Sequence, residues 1–447
     1  MMISIRNLSV LMCLVLLAGN LFAGGFALTG VGSRATSMAG AFRGLSDDPS
    51  AMYWNPAGMG FMNENSVHLG GTFILPSATW DPNGSPMTSI PGFQNKEYEA
   101  EQSLRMFPTV IATKTKESPL KYGLGIYVPY GLGTTWDAYD LPAGLTYADG
   151  FPKDDMLSSL AVLDVHPTVA YKVSPIFSVG AGLSAMYGMI DINKMSFNPA
   201  FGASYMYLPI TTELSGTGLG FGANFGMMLK AMDKLSIGLS AKVPATIAME
   251  GDADINLWKP ATTDSLGAVI PASTVGGKSD IEADLKLPAD IGIGFAYQLK
   301  PNWTLTLDYA YTMWDRLDQV KIKLKDPHPL VPTGESALVF DWENTSRISL
   351  GTEYIMPCGN KFRGGFFFEE TPIPEETQIP TLSDIGNKMS FNLGWGRPFG
   401  AFEVELNGQY MMFTEREVEA ADQTLNNVIG TYDSLSISGN IGLTYKF

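Results

Sequence analysis

The most regular stretch of the chain is its last. Leu435, Ile437, Gly439, Ile441, Leu443, Tyr445 and Phe447 alternate with Ser436, Ser438, Asn440, Gly442, Thr444 and Lys446. That is the period-2 pattern of a strand with one apolar face. Read backwards, similar strands recur at Phe402–Phe413 and Lys388–Pro398, Lys361–Glu370 and Ser346–Ile355, and Trp303–Met313 and Asp290–Leu299. Leu235–Ala248 and Gly218–Leu229, Ile176–Met189 and Ser159–Val173, and then Lys121–Leu132, Leu104–Lys114 and Ser66–Leu75 bring the number to fourteen. The intervals alternate: 116–120, 174–175, 230–234, 300–302, 356–360 and 399–401 are short. By contrast, 76–103, 133–157, 190–217, 250–282, 316–337, 371–387 and 414–432 are long, polar and often acidic. An even number of antiparallel strands, with short turns at one end and long loops at the other, predicts an all-β, 14-stranded transmembrane barrel. A soluble propeller would need a blade motif at fixed period, and the sequence has none.

The beginning of the chain fits export. Arg6 precedes the apolar run Leu8–Leu17, and the segment closes on Leu21-Phe22-Ala23, the layout of a secretory signal over residues 1–23. The run is too short to span a bilayer as a helix, and later uncharged stretches such as Met195–Thr212 are broken by Asn198, Pro199 and Pro209. Composition agrees with a barrel: charged residues are only 17%, aromatics 11%, and there are 48 glycines. The net charge of −16 gives no electrostatic reason to bind nucleic acid. With Cys13 in the signal, Cys358 is left alone, so closure of the sheet rather than a disulfide has to hold the fold. The terminal Phe447 is typical of barrels presented to the outer-membrane assembly machinery, which places the protein in a Gram-negative-type outer membrane among its lipids.

Residues 24–65 lack strand alternation. They are rich in Gly and Ala, carry Phe26, Met38, Phe42, Met52, Tyr53 and Trp54, and include Asp48-Pro49, which reads as an N-cap with Pro at N1 of a short helix. Such a segment, too apolar for a disordered leader, is expected to plug the lumen as a hatch ahead of the barrel at 66–447.

Enzymatic chemistry finds little support. His68, His166 and His328 are the only histidines, none in a recognisable Ser or Cys constellation. The 23 methionines read as adaptable apolar lining, and no cofactor or metal is expected. An open porin is the other alternative, which a retained hatch argues against.

Several motifs carry a resemblance. Gly25-Phe26-Ala27-Leu28, Gly40-Ala41-Phe42, Ser46-Asp47-Asp48 and Asn55-Pro56-Ala57-Gly58-Met59 resemble the hatch of the FadL/TodX (OMPP1) family of outer-membrane hydrophobic-compound transporters. The likeness continues through Ile126–Leu132, Leu287-Pro288, Trp303, Tyr309–Trp314 and Arg347–Gly351. It implies a monomeric, hatch-closed barrel. Hydrophobic small molecules, long-chain fatty acids first, would enter a pocket and leave by a gap in the wall under ligand-gated passive diffusion. Pro129 and Gly131 interrupt an otherwise good strand and match the kink that opens the wall. Pro108 and Pro167 are expected to widen the same defect. By the resemblance Phe26 occupies the ligand pocket, Asn55, Pro56 and Ala57 belong to the hatch, and Lys194 holds the ligand carboxylate. The family's second pocket cation has no counterpart in Ala337-Leu338-Val339-Phe340-Asp341, which favours neutral or aromatic hydrocarbons as the alternative cargo.

Overall fold

A computed structural model describes residues 25–447 except 84, 91, 141–144, 153–155, 198–207, 264, 383 and 425; the expected signal segment 1–23 lies outside the described residues. Fourteen antiparallel strands follow one another around a closed sheet. They are β1 (Ser66–Asp81), β2 (Arg105–Lys114), β3 (Leu120–Trp136), β4 (Met156–Lys172), β5 (Phe177–Phe197), β6 (Pro209–Met232) and β7 (Leu235–Lys242). Then come β8 (Ala289–Lys300), β9 (Trp303–Met313), β10 (Thr345–Ile355), β11 (Lys361–Glu369), β12 (Lys388–Phe399), β13 (Phe402–Phe413) and β14 (Gly430–Lys446). The first and last strands pair without interruption from Ser66↔Lys446 to Asp81↔Thr431, so no edge is left at the seam. Closure satisfies the backbone within the sheet, which a bilayer core requires because it supplies no water to do so.

The alternation is inverted relative to a soluble protein. On β14 Ile437 and Ile441, and Phe447 just after it, are more than half exposed while Ser436, Ser438 and Asn440 are buried. Leu183, Leu219 and Phe221 likewise face outward. This apolar surface is what lipid covers, and the hydroxyl- and amide-bearing face lines the lumen.

At the long-loop end the structure departs from the expected strand limits. Leu235–Ala248 is not one strand: β7 stops at Lys242, and after Val243-Pro244 the strand Ala245–Lys259 resumes against Ile210–Gly220 of β6. Pro244 has no N–H for the ladder, so the chain is offset there. The interval 250–282, expected to be a loop, is largely the hairpin of Ala245–Lys259 with Ser273–Leu287, which Gln319–Leu324 and Glu335–Val339 extend sideways. Its inner face repeats at period 2: Ile247, Met249, Ala253, Ile255 and Leu257 are buried, while Glu250 and Asp252 point away.

The hatch fills the lumen with two short helices, α1 (Ser33–Ser37) and α2 (Ala51–Trp54), and a 3-10 turn, Pro56–Phe61. Met38, Phe42, Met52 and Met59 are fully buried with Ile111 and Tyr127 of the wall. The expected cap is displaced. Asp48 accepts bonds from Ser50 N (2.8 Å) and Ser50 Oγ (2.6 Å), and the helix begins at Ala51. The cap-then-Pro arrangement occurs instead at Asn55-Pro56, where Asn55 Oδ1 accepts from Ala57 N at 3.1 Å.

Glycines on the inner wall let the hatch seat this closely. A Cβ on Gly238 of β7 would stand 1.9 Å from Arg43 O, and one on Gly226 of β6 would stand 2.1 Å from Asn55 Oδ1. At Gly238 hatch backbone would have to move; at Gly226 it would be the Asn55 amide, which its own bonds to Ala57 N and Arg43 O hold in place. Gly238→Val is therefore expected to leave the barrel closed but displace the hatch. In planar bilayers this variant's steady conductance should exceed that of the wild type; equal conductance would contradict the tight seat.

Candidate functional site: an aromatic pocket beside a break in the wall

Strand β3 cannot keep its register past Tyr127. Tyr127 faces Asp164 and Tyr130 faces Val162, so Val128-Pro129 stand opposite Leu163 alone on β4. Two residues against one is a bulge, located where a proline removes a donor. On the other side β3 pairs with β2 only from Lys114↔Tyr122 to Val110↔Ile126. The next backbone bond between these two parts of the wall is Glu101 N to Thr135 O at 2.8 Å. Residues 102–109 and 127–134 thus border a window with no ladder across it. Pro108 lies on the unpaired stretch of β2, as expected. Pro167 does not contribute: it sits opposite Leu124 in regular register, below the bulge.

The first residues of the hatch occupy the free edge of β3. Leu28 N donates to Pro129 O at 3.0 Å, Gly131 N donates to Phe26 O at 2.9 Å, and Ala27 bridges Tyr130. This pairing carries the Phe26 ring into an aromatic cage, 4.9 Å from Trp314 and 5.3 Å from Trp342, with Tyr130 at 5.9 Å. Edge-on contacts of this kind add about 0.5–1.5 kcal/mol to area burial. Val162, Met186 and Ile247 extend the apolar surround below and beside the ring. Trp314 reaches it because the chain leaves β9 in a 3-10 turn, Trp314–Arg316, instead of continuing as strand.

Ile373 and Leu382, from the interval between β11 and β12, join the same cluster. That segment is tied to the far side of the barrel: Thr134 Oγ1 donates to Thr381 O (2.8 Å) and Trp136 Nε1 to Pro380 O (2.9 Å). It therefore roofs the cage and borders the window at once. Neither it nor Trp342 was expected from the sequence, because residues 371–387 and 337–342 carry no strand pattern.

Asn55, Pro56 and Ala57 lie on the opposite side of the hatch. Asn55 is fully buried and donates through Nδ2 to Arg43 O (2.9 Å) and Met227 O (3.1 Å), while Ala57 O accepts Ser178 Oγ at 2.7 Å. Lys194 is not in the cage. It is exposed near the outer end of β5, paired in register with Met156 and Thr212, four residues beyond Ile190 on the same strand face.

Charge fastens the hatch to the wall. Arg34 Nη2 reaches Glu353 at 2.8 Å, and Glu353 also binds Arg363 at 2.6 Å. Arg43 Nη2 reaches Asp290 at 2.7 Å, and Arg347 Nη2 donates to Ala39 O at 2.9 Å. Asp308 accepts both Phe42 N (3.1 Å) and Arg43 N (2.8 Å). On the short-turn side these groups open into a polar vestibule of about 610 Å³, lined by Arg34, Glu353, Lys361, Glu403 and Lys446 among others. His166 lies behind the bulge. Its Nδ1 meets Ser184 Oγ (2.9 Å) and its Nε2 meets Asn224 Oδ1 (3.1 Å), but the Ser184 hydroxyl donates to Asp164 (2.9 Å). In a nucleophile–base–acid triad the carboxylate and the hydroxyl take opposite nitrogens of the imidazole; here Asp164 Oδ2 (3.4 Å) and Ser184 Oγ share the Nδ1 side.

Removing one partner of a buried charge cluster typically costs about 3–5 kcal/mol. Asp308→Ala strips the carboxylate acceptor from Arg43 N and an anion from the Arg43 guanidinium, while Phe42 N keeps Gly40 O at 2.8 Å. The amide of Arg43 should then exchange with solvent deuterium on the order of a hundredfold faster; unchanged exchange would show that Asp308 does not hold the hatch.

Comparison with known proteins agrees with this architecture. The outer membrane protein transport protein family (OMPP1/FadL/TodX) matches residues 14–447. The long-chain fatty acid transport protein of Escherichia coli O6:H1 is 23% identical over 425 residues, covering 89% of this chain and 88% of its own length. Among solved structures, a Pseudomonas aeruginosa FadL homologue superposes with a TM-score of 0.76 at 16% identity, covering 94% of this chain and 99% of its own. The Pseudomonas putida toluene transporter TodX superposes with a TM-score of 0.69 at 16% identity, covering 94% and 98%. With a closed barrel, an internal hatch and a family match over nearly its whole length, the chain belongs to the OMPP1/FadL/TodX family of outer membrane transport proteins.

Proposed function

We propose that this protein admits hydrophobic small molecules, long-chain fatty acids foremost, by passive diffusion in which the ligand displaces Phe26. The signal 1–23, the hatch 24–65 and the barrel 66–447 are taken as its working parts, acting as a monomer without cofactor. The observation that carries the reading is the double engagement of residues Phe26–Leu28. The Phe26 ring fills the cage while the backbone of Phe26–Leu28 occupies the edge of β3 at the window. A ligand that enters the cage must move Phe26, and moving Phe26 withdraws the bonds at Pro129 and Gly131.

Magnitudes favour a chain-like ligand. Withdrawing Phe26 forfeits about 1.5–3 kcal/mol of burial and two hydrogen bonds of about 0.5–1.5 kcal/mol each. A hydrocarbon chain gains about 0.8 kcal/mol per buried CH₂, so roughly three to eight methylenes offset the loss. The onward route is argued from polarity. The vestibule beneath the hatch is charged and would not welcome a hydrocarbon, whereas the window at Pro129 and Gly131 faces the lipid side of the wall. Lys194, exposed at the outer end of β5, is suited to meeting an anionic head group before the cage.

A second reading, neutral or aromatic hydrocarbon, is favoured by the cage itself. Trp314, Trp342 and Tyr130 offer shape and aromatic edges, and a single ring could replace that of Phe26.

Uptake of oleate and of an alkylbenzene by cells carrying the protein tests both route and cargo. A side chain at Gly131 would press on Phe107 (3.1 Å) and Leu28 (3.4 Å) across the window. Gly131→Phe is expected to slow uptake of both compounds about tenfold. If uptake is unchanged, the lateral route is wrong. Lys194→Ala should lower oleate uptake relative to alkylbenzene; an unaltered ratio removes the carboxylate role of Lys194.

A further inference from the structure

Beside the window, on the luminal side, lies a second, smaller cavity of about 100 Å³. Ala27, Leu28 and Phe107 form its apolar side, and Gln409, Ser434 and Ser436 its polar one. Arg105 enters it from the first residue of β2. By strand alternation Arg105 shares the inward face with Phe107, while Met106 points to lipid.

Among the described residues Arg105, like Arg316 in the 3-10 turn after β9, lacks the carboxylate partner that four guanidiniums of the lumen have. Arg34, Arg43, Arg347 and Arg363 each have a carboxylate, at 2.8, 2.7, 3.6 and 2.6 Å. Arg105 has neither a hydrogen bond nor an ion pair among the described residues, and its Nε is buried with no partner. Its guanidinium lies against Gly133 of β3, where a Cβ would stand 2.8 Å from Cζ. The charged group thus reaches across the unpaired strands, at the upper corner of the window. The residue is half-buried and its Nε is shut off from solvent, so an acceptor that reached the guanidinium would satisfy a donor that has none, and the fork matches a carboxylate or phosphate.

We infer that Arg105 is the anion-recognition residue of the window: it takes the carboxylate of an amphiphile whose chain has entered the cage and presents that chain to the gap beside Phe107 and Gly131. The inference rests on the proposed lateral route and adds the head-group class that the route selects. The cavity has space for a carboxylate and a few carbons, not for a chain. Lys388 lies on the same cavity and is held by Asp384 at 2.9 Å. The Asp384 carboxylate also borders it and would oppose an anion. Burial pushes that carboxyl up to about 7 against the pull of Lys388, so its opposition is weaker than that of an ordinary carboxylate. Ser436 offers a neutral donor at the same wall, whereas the Ser434 hydroxyl donates to Ser77 O (3.1 Å) and Gln409 Nε2 to Ser390 Oγ (2.9 Å). This cation is contributed by β2, not by the strand stretch 337–341 where the sequence lacks one.

The test pairs oleate with oleyl alcohol, ligands alike in chain and different in charge. Protein in lipid vesicles is assayed as wild type, Arg105→Gln and Arg105→Lys. The oleate-to-oleyl-alcohol uptake ratio should fall about tenfold in R105Q and recover most of that loss in R105K. The same ordering is expected for equilibrium binding of oleate to detergent-solubilised protein. An unchanged ratio in R105Q, or R105K as impaired as R105Q, overturns the anion role; the second result would mark Arg105 as packing against Gly133. Failure of the transport reading looks different: wild-type vesicles would then take up neither ligand faster than protein-free vesicles. In that case oleate binding to the three proteins still decides Arg105.

Discussion

The rest of the structure depends on the inability of β3 to complete its ladder. In a bilayer every N–H and C=O of the wall needs a partner, and Val128-Pro129 supplies one donor too few while crowding two residues against Leu163. The wall answers by parting from β2 above Val110 and by borrowing backbone from inside the barrel. Phe26–Leu28 act as a short strand in the missing place. The consequence is mechanical: the segment that seals the wall is the segment whose side chain fills the cage. Plug and gate are therefore one element, tied to the wall by two hydrogen bonds.

That economy would be useless if the whole hatch moved with its tip. The remainder of the hatch is held differently, by buried ion pairs and by backbone bonds to charged side chains. Such pairs contribute little net stability against an apolar alternative, yet losing one partner is expensive. They resist partial displacement, which is what a seat requires. The glycines of the inner wall serve the same end by bringing hatch backbone into direct contact with the sheet. A loose N-terminal tip on a firmly seated body follows from these two kinds of attachment.

Much of the barrel could be read from the sequence because lipid-facing and lumen-facing residues must alternate, and β14 carries that rule from Leu435 to Phe447 without error. The outer strands were missed where acids interrupt the pattern. Glu250, Asp252 and Asp254 suggest a loop, although Ile247, Met249, Ala253, Ile255 and Leu257 keep strict period 2 on the other face. Asp48-Pro49 misled because Asp-Pro fits both a cap and a turn, and only the fold places Asn55-Pro56 at the true cap. Pro129 and Gly131 were recognisable as strand breakers, but Pro167 shows that a proline alone does not open a wall. The cage was half visible: Phe26 and Trp314 fall in motifs, whereas Trp342 comes from a stretch whose only signal is its aromatic ring. The value of Gly226 and Gly238 could not be read at all, since a glycine beneath a plug and one in an empty lumen look identical in sequence.

Selectivity then divides between two places with different physics. An apolar cage discriminates weakly, about 1–3 kcal/mol for a methylene gained or lost, because it rejects nothing by leaving a polar group unpaired. Phe26, Trp314 and Trp342 therefore set size and hydrophobicity and admit a broad class. A guanidinium without a counter-ion works the other way. Occupied by a carboxylate, Arg105 would gain the partner that its buried Nε lacks; faced with a neutral molecule, that donor would stay unpaired. Placed at the window rather than in the cage, it would act after capture, on molecules that on the proposed route have already displaced Phe26. On the proposed route, a permissive capture step followed by a charge-sensitive release step would let one barrel bind many hydrophobes and pass anionic amphiphiles fastest.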